Sequence, residues 1–259
     1  MLRPFFHIFP LLATLIEFGA RSELKKITLT QAKLTAPGNI SPNTNVPFTI
    51  TVQDLDGNAV ANFDTFQEKL MHLIVVSDDL QFFNHLHPEY KDNGKFDVTA
   101  NFPQAGGYTL FSDYKPAQSP EQISILKTEI VGTFSTAPKP DFTTTKTFGT
   151  AKIDLSVSEP VIKAGSEVRV KFDLQDAMTN QPLTDLQPYL GEKGHLVILK
   201  HSKALTASDY IHAHALKNTA LGKVEFMAKF PQAGHYKLWG QFNRDGKIVT
   251  ADFWINAVD

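Results

Sequence analysis

The sequence predicts an all-β protein made of two tandem immunoglobulin-like, or cupredoxin-like, β-sandwich domains. Short alternating or apolar runs are separated by Asp-Gly, Asn-Gly and proline-rich breaks. No long stretch has the 3.6-residue period of an amphipathic helix. The runs also occur twice in the same order, which indicates a duplicated unit of about 110 residues with seven or so strands.

Matched segments define the two copies. Each copy opens with an alternating strand, at residues 47–54 and 167–174. An apolar run beginning with histidine follows, at 72–76 and 195–199, and then a His-x-His triplet. Further alternating runs are predicted as strands at 96–102, 224–230 and 236–242. The motif FPQAGGY at 102–108 recurs as FPQAGHY at 230–236, and its Tyr108 and Tyr236 are predicted to form tyrosine corners.

The boundaries follow from composition. We place domain one at residues 26–133 and domain two at 149–259, with a Pro/Thr-rich linker at 134–148. Residues 1–25 have one early arginine and an apolar stretch at 5–16, so they are predicted to be a signal peptide or an N-terminal apolar segment. This predicts a periplasmic or extracellular protein that would contact a membrane only through an uncleaved N-terminus.

Charge and composition exclude several classes of function. The chain has 25 Lys and Arg residues against 27 Asp and Glu residues, so it has no basic excess for binding nucleic acid. It has no cysteine, which excludes disulfides, thiolate metal sites and a cysteine nucleophile. It has nine histidines, and these are the candidates for chemistry.

Six of the nine histidines occupy matched positions in the two copies. Residues i and i+2 of a strand share a face, so a His-x-His triplet directs two imidazoles toward one metal ion. A third nitrogen joins if the preceding apolar run pairs with the triplet's strand. The predicted ligand sets are His72, His85 and His87 in domain one, and His195, His212 and His214 in domain two.

Imidazole suits copper, zinc and nickel, and copper is favoured over zinc here because Met71 precedes His72 and offers a thioether. Met71 and His72 share one ion only if the strand bends, because adjacent strand residues face opposite ways. Gly194 stands at the Met71 position in domain two, which would therefore bind through histidine alone.

Residues 72–88 and 102–108, with their counterparts in the second copy, resemble bacterial exported YtkA-like and copper-associated β-sandwich domains. The resemblance implies an exported sandwich module with a link to heavy-metal handling. The second copy departs from the pattern where Ala215 stands at the position of Pro88.

The first hypothesis is therefore an exported, non-enzymatic metal-binding protein that buffers copper or hands it over, with the metal ion and an envelope protein as partners. The alternative is a structural or protein-interaction module of the cell envelope whose histidines hold loops together. An enzyme ranks last because no carboxylate that could act as a general base has a fixed position near both histidine sets.

Overall fold

Two β units follow one another along the chain in the computed structural model, which describes residues 29–133 and 137–259. The predicted export segment at residues 1–25 lies outside the described residues. Among those that are described, no helix is long and apolar enough to cross a membrane. The predicted all-β fold class is confirmed.

The first unit is a sandwich of two four-stranded antiparallel sheets. One sheet has the order β1-β2-β6-β5, and the other has the order β4-β3-β7-β8. Its strands are β1 (Thr30–Thr35), β2 (Asn45–Asp54), β3 (Met71–Ser77), β4 (Phe83–Leu86), β5 (Glu89–Asp92), β6 (Lys95–Asn101), β7 (Gly106–Tyr114) and β8 (Gln122–Ile130). The alternating faces of β2 and β6 supply Phe48, Ile50 and Phe96 to the core between the sheets.

The second unit has the same plan, but its strands form one continuous sheet. The order is β11-β18-β17-β14-β15-β16-β12-β10-β9, and β13 also pairs with β17. Its strands are β9 (Thr145–Phe148), β10 (Ala151–Val157), β11 (Ile162–Lys163), β12 (Glu167–Asp176), β13 (Leu186–Gln187), β14 (His195–Lys200), β15 (Tyr210–Ala215), β16 (Lys223–Lys229), β17 (Gly234–Arg244) and β18 (Lys247–Val258). Strand β9 lies within residues 134–148, which the sequence analysis predicted as linker. It pairs with β10 and so belongs to the sheet of the second unit.

One residue explains why the first unit has two sheets and the second has one. Pro88 separates β4 from β5, since proline has no N–H to donate to a ladder. At the matched position Ala215 continues β15 and pairs with Phe226 of β16. The Pro-to-Ala departure noted in the sequence therefore joins the two sheets of the second unit.

The two units pack face to face through the sheets that contain β3 and β14. Ile74 and Val76 of β3 belong to the same buried cluster as Val197 and Leu199 of β14. Both strands are thus buried on both faces, one face toward their own core and one toward the other unit. Burying this apolar surface stabilises the docked arrangement.

Aromatic pairs give this interface an approximate two-fold symmetry. Phe83 stacks on Trp239 with ring centroids 4.9 Å apart, and Tyr210 stacks on Phe111 at 5.1 Å. Phe83 and Tyr210 occupy matched positions in the two units, as do Phe111 and Trp239. Each unit therefore offers the other the same surface.

The two predicted tyrosine corners are confirmed. The Tyr108 hydroxyl donates to the carbonyl oxygen of Gln104 at 2.9 Å, and the Tyr236 hydroxyl donates to that of Gln232 at 2.7 Å. Each hydroxyl bonds the backbone of the turn four residues upstream, which fixes the start of β7 and β17.

Candidate metal centre

Strands β3 and β4 bring the three histidines of the first unit together. The strands pair antiparallel with Ile74 opposite His85, so the histidine of the apolar run lies next to the His-x-His triplet. One ring nitrogen from each of His72, His85 and His87 lies within 4.8 Å of the others. The pairing that the sequence analysis required for a third nitrogen is present, and the three rings would close in slightly around an ion.

A tight turn before β3 fixes the orientation of His72. Gln67 and Glu68 both have positive φ, at 45° and 64°, as the central residues of a two-residue hairpin turn often do. The turn presents the Phe66 carbonyl oxygen 3.2 Å from Nε2 of His72. A carbonyl only accepts, so Nε2 carries the proton and the lone pair of His72 is on Nδ1.

The second unit fixes the orientation of His85. Its Nδ1 lies 2.7 Å from Oε1 of Gln241 on β17, and the Gln241 amide nitrogen donates to the Thr250 hydroxyl at 3.3 Å. Nδ1 of His85 therefore donates, and its lone pair is on Nε2. Such a bond from the second ring nitrogen to a protein oxygen is typical of metal-bound histidine.

Two ring nitrogens then face each other with their lone pairs. Nδ1 of His72 and Nε2 of His85 are 3.0 Å apart. Nitrogens that share one ion at bonds of about 2 Å lie roughly 3.3 Å apart in tetrahedral geometry. A proton on one of the two nitrogens makes this contact a hydrogen bond, and a cation between them would make both rings ligands.

His87 completes the set from the segment between β4 and β5. Its Nε2 is buried and has no hydrogen-bond partner among the residues that the structure describes. Beside it an open surface cavity of about 460 Å³ is also lined by Glu89 and Asp97. The groove thus places two carboxylates near His87, and one of them, Glu89, also pairs with the Lys91 ammonium at 2.8 Å.

Electrostatics keep His72 and His87 neutral at physiological pH. The pKa of His72 is lowered to about 4, chiefly by burial, which outweighs the hydrogen bond to the Phe66 carbonyl, with smaller contributions from His87 and Lys69. Burial also lowers the pKa of His87 to about 4, again with a contribution from the Lys69 ammonium. Neutral imidazoles are the form that binds metal, although Lys69 also opposes a cation.

Met71 is not brought to the cluster. Its side chain is fully buried in the core of the first unit with Leu73 and Val75, whereas His72 shares the other face of β3 with Ile74. The strand does not bend, so the alternation of side chains separates the thioether from the imidazoles. The prediction that Met71 is a metal ligand needs this correction.

The second histidine set is only partly described. His195 lies against the first set, with its ring centroid 4.8 Å from that of His85 and 5.7 Å from that of His72. In the backbone, His212 pairs with Val197 as His85 pairs with Ile74, so the two strand pairs have matched registers. The side chains of His212 and His214 lie outside the described residues, so their role as ligands stays a prediction.

A buried acid also lies at this interface. Asp113 of β7 is 1% exposed and pairs in register with His72. Burial raises the pKa of Asp113 to about 7, with a further increase from Glu121 and a partial reduction by the Tyr210 hydroxyl. Asp113 occupies in the first unit the position that Gln241 occupies in the second.

Sequence reasoning missed the residues that orient the imidazoles. Phe66 acts through its backbone oxygen, which no side-chain pattern reveals. Gln241 acts across the interface between the units. A signal for that interface was present, because the continuous apolar runs 73–76 and 196–199 indicate strands buried on both faces.

Comparisons with known proteins find similar solved structures and one matching family model. The Escherichia coli adhesin FdeC is 14% identical over 88% of this chain and 64% of its own, with a TM-score of 0.30. The bacterial integrin-binding protein invasin is 11% identical over 88% of this chain and 39% of its own, with a TM-score of 0.27. Domains 4 and 5 of the S-layer protein SbsC are 11% identical over 88% of this chain and 98% of their own, with a TM-score of 0.25. The chain thus spans less than two thirds of the FdeC and invasin chains. A comparison with curated protein sequences gives no match.

A family model matches most of the chain, in two segments. It covers residues 26–127 and 146–259 and is described as a domain of unknown function, DUF8832. The tandem sandwich implied by the resemblance to YtkA-like domains is supported, but the matching family is a different one. The chain belongs to the DUF8832 family.

Proposed function

We propose that this protein is a non-enzymatic metal-binding protein that holds copper through His72, His85 and His87, for buffering or handover to an envelope partner. The observation that carries the proposal is the convergence of one ring nitrogen from each of these histidines within 4.8 Å, with His72 Nδ1 and His85 Nε2 3.0 Å apart. The other nitrogen of His72 lies against the Phe66 carbonyl oxygen and that of His85 against the Gln241 amide oxygen, and such hydrogen bonds orient imidazole ligands for an ion.

Copper is the ion that the donor set favours. Three imidazole nitrogens suit copper and zinc, and copper(II) stands highest in the stability order of divalent ions. The thioether that favoured copper in the sequence analysis is absent from the cluster, so the preference rests on imidazole alone. Zinc is the second choice.

An exported protein would meet its ion outside the cytoplasm. The proposed location, periplasmic or extracellular, rests on the apolar N-terminal stretch at residues 5–16. The groove beside His87 supports exchange with solvent or a partner, because Glu89 and Asp97 line it. The proposal for His195, His212 and His214 as a second ligand set rests on the matched backbone register.

The test is a titration of the purified protein with Cu(II), Cu(I) and Zn(II), followed by calorimetry or a competing chelator. The variant carries His85→Ala and His87→Ala, and the control carries His235→Ala, since His235 is an exposed histidine of the second unit. We expect the double variant to lose one ion per chain and the control to lose none. Equal stoichiometry in all three proteins would refute the site.

A structural module of the cell envelope is the second candidate function. If the Gln241 amide is turned over, its NH2 group donates to His85, and His85 then donates to His72, so the imidazoles link the units without a metal. Adhesin and S-layer domains are the class of the similar solved structures, and that similarity concerns the fold alone. This candidate predicts that His85→Ala with His87→Ala lowers the melting temperature in metal-free buffer and changes no metal content.

A further inference from the structure

We infer that Gln241 of the second unit is a positioning residue for His85, and that it makes copper binding by the first unit depend on the docking of the two units. The inference rests on the proposed function and names what controls the affinity of that site. The three converging histidines all belong to the first unit, whereas the group that orients His85 belongs to the second.

The contact between Gln241 and His85 is short and buried. Oε1 of Gln241 lies 2.7 Å from Nδ1 of His85, and the two residues are 6% and 9% exposed. The Gln241 amide nitrogen donates to the Thr250 hydroxyl at 3.3 Å, which turns Oε1 toward the imidazole. With Oε1 as the acceptor, Nδ1 of His85 carries the proton, and Nε2 is the nitrogen that faces His72. One side chain thus sets both the tautomer and the ring orientation of a proposed ligand.

An aromatic stack beside this contact holds the two strands at the required distance. Trp239 and Gln241 are two residues apart on β17 and share the face that meets the first unit. Phe83 and His85 are likewise two residues apart on β4. Trp239 stacks on Phe83 with ring centroids 4.9 Å apart. The two strands therefore meet at two successive contacts, one aromatic and one polar, and a shift of one unit against the other would break both.

Strand pairing fixes the position of Gln241 within the second unit. Its backbone is in register with His195 of β14 on one side and with Thr250 of β18 on the other. A residue that is paired on both sides inside a sheet moves only with the sheet. The place of the Gln241 amide is therefore set by the second unit as a whole.

Docking and metal binding are then coupled in both directions. Loss of the hydrogen-bond partner of a ligating imidazole lowers metal affinity by about 10- to 100-fold. The Gln241 amide reaches His85 only when the units are docked, so docking raises the affinity for the ion by that factor. By linkage, the bound ion favours the docked arrangement by the same factor.

The main experiment measures Cu(I) affinity and the copper-induced rise in melting temperature for four proteins. These are the wild type, Gln241→Leu, Gln241→Glu and the control Gln187→Leu, which changes an exposed glutamine on β13. Gln241→Leu keeps most of the side-chain volume and removes the acceptor, whereas Gln241→Glu keeps an acceptor oxygen. Competition with a chelator gives the affinities, and metal-free melting curves establish that each protein folds.

We expect Gln241→Leu to bind Cu(I) about 10- to 100-fold more weakly than the wild type. Gln241→Glu should bind at least as tightly as the wild type, because a carboxylate that accepts from Nδ1 raises the basicity of the ligand. A structural role alone would lower the metal-free melting temperature, more in Gln241→Glu because of the buried charge, and leave both affinities unchanged. Wild-type affinity in Gln241→Leu, or an equal loss in both variants, would overturn the inference.

The dependence on docking has its own variant. Trp239→Leu loosens the stack on Phe83 without touching a proposed ligand. It should weaken Cu(I) binding by about two- to tenfold when Gln241 is present and have little further effect in Gln241→Leu, as for coupled neighbours in a double-mutant cycle. Equal losses in the two backgrounds would show that docking does not act through Gln241.

A measurement on the wild-type protein needs no variant to fold. The Cu(I)-loaded protein is diamagnetic, so long-range proton–nitrogen NMR correlations identify the protonated nitrogen of each imidazole. We expect copper on Nε2 of His85 and a slowly exchanging proton on Nδ1. Copper on Nδ1 of His85 would overturn the inference.

The same data separate this inference from the proposed function. If His85→Ala with His87→Ala abolishes binding while Gln241→Leu has wild-type affinity, the site does not depend on the second unit and the proposed function stands. If that double variant binds copper normally, the proposed function itself fails.

Discussion

The imidazole of His72 in the first unit stacks on that of His195 in the second, with ring centroids 5.7 Å apart and planes at 20°. The two residues occupy matched positions in the duplicated sequence. Their contact lies at the interface where Phe83 meets Trp239 and Tyr210 meets Phe111. The duplication therefore placed two copies of one histidine motif face to face.

The first prediction concerns acid and the metal-free protein. The pKa values of His72 and His87 are lowered to about 4 in the folded state. Between about pH 6.5 and 4 the unfolded chain therefore binds protons at these residues that the folded chain does not bind. Stability present above pH 6.5 should be lost progressively as the pH falls through about 4. Urea unfolding at a series of pH values measures this loss.

Asp113 opposes that trend and supplies the control. Because the pKa of Asp113 is raised to about 7, its contribution favours folding at low pH and is lost as pH rises toward 7. Asp113→Asn should therefore show a steeper loss of stability between pH 6.5 and 4 than the wild type. Parallel curves for the two proteins would contradict the buried location of this acid.

A second prediction concerns Lys69, whose charge lowers the pKa of both His72 and His87. Lys69→Met keeps most of the apolar side-chain stem and removes the charge. Copper should then bind roughly three- to tenfold more tightly, because a nearby repulsive charge is gone. Competition with a chelator measures the affinity, and Lys247→Met on the exposed start of β18 is the control. An unchanged affinity would place the ion away from these histidines.

The acidic groove provides a third prediction, about rates. Glu89→Gln with Asp97→Asn removes two exposed charges beside His87 and no proposed ligand. Copper association should slow by about tenfold at low salt, and the difference should shrink at high salt. Stopped-flow fluorescence measures this, with Glu129→Gln as a control on a strand distant in sequence. Equal association rates would mean that the ion enters by another route.

A fourth prediction tests the interface. Trp239 is 2% exposed and stacks on Phe83 of the other unit. Trp239→Ala should lower the free energy of unfolding by about 3–5 kcal/mol through lost burial and a cavity. The exposed Phe142 serves as a control, since Phe142→Ala should cost far less. A small effect of Trp239→Ala would show that the units do not depend on this contact.

Much of the fold could be predicted because its signals are local. Alternating runs gave the strands, the repeated motif gave the duplication, and the Ala-Gly-x-Tyr turns gave the corners of Tyr108 and Tyr236. The pairing of the strands that carry His72 and His85 was only a condition of the predicted site, and the structure shows it. Strand alternation also indicated that Met71 and His72 face opposite ways, and Met71 packs in the core.

The docking of the two units could not be predicted in the same way. It depends on which outer sheet faces meet, which is a tertiary relation between residues far apart in sequence. Gln241 lies 156 positions from His85 and orients it through one hydrogen bond. The contact of His195 with the first histidine set arises from the same docking.

The most direct measurement is anomalous diffraction at the copper edge from crystals of the copper-loaded protein. The account predicts one strong peak bonded at about 2 Å to Nδ1 of His72 and Nε2 of His85, with His87 as the third histidine ligand. Copper found only at exposed histidines such as His235, with these rings unliganded, would contradict it.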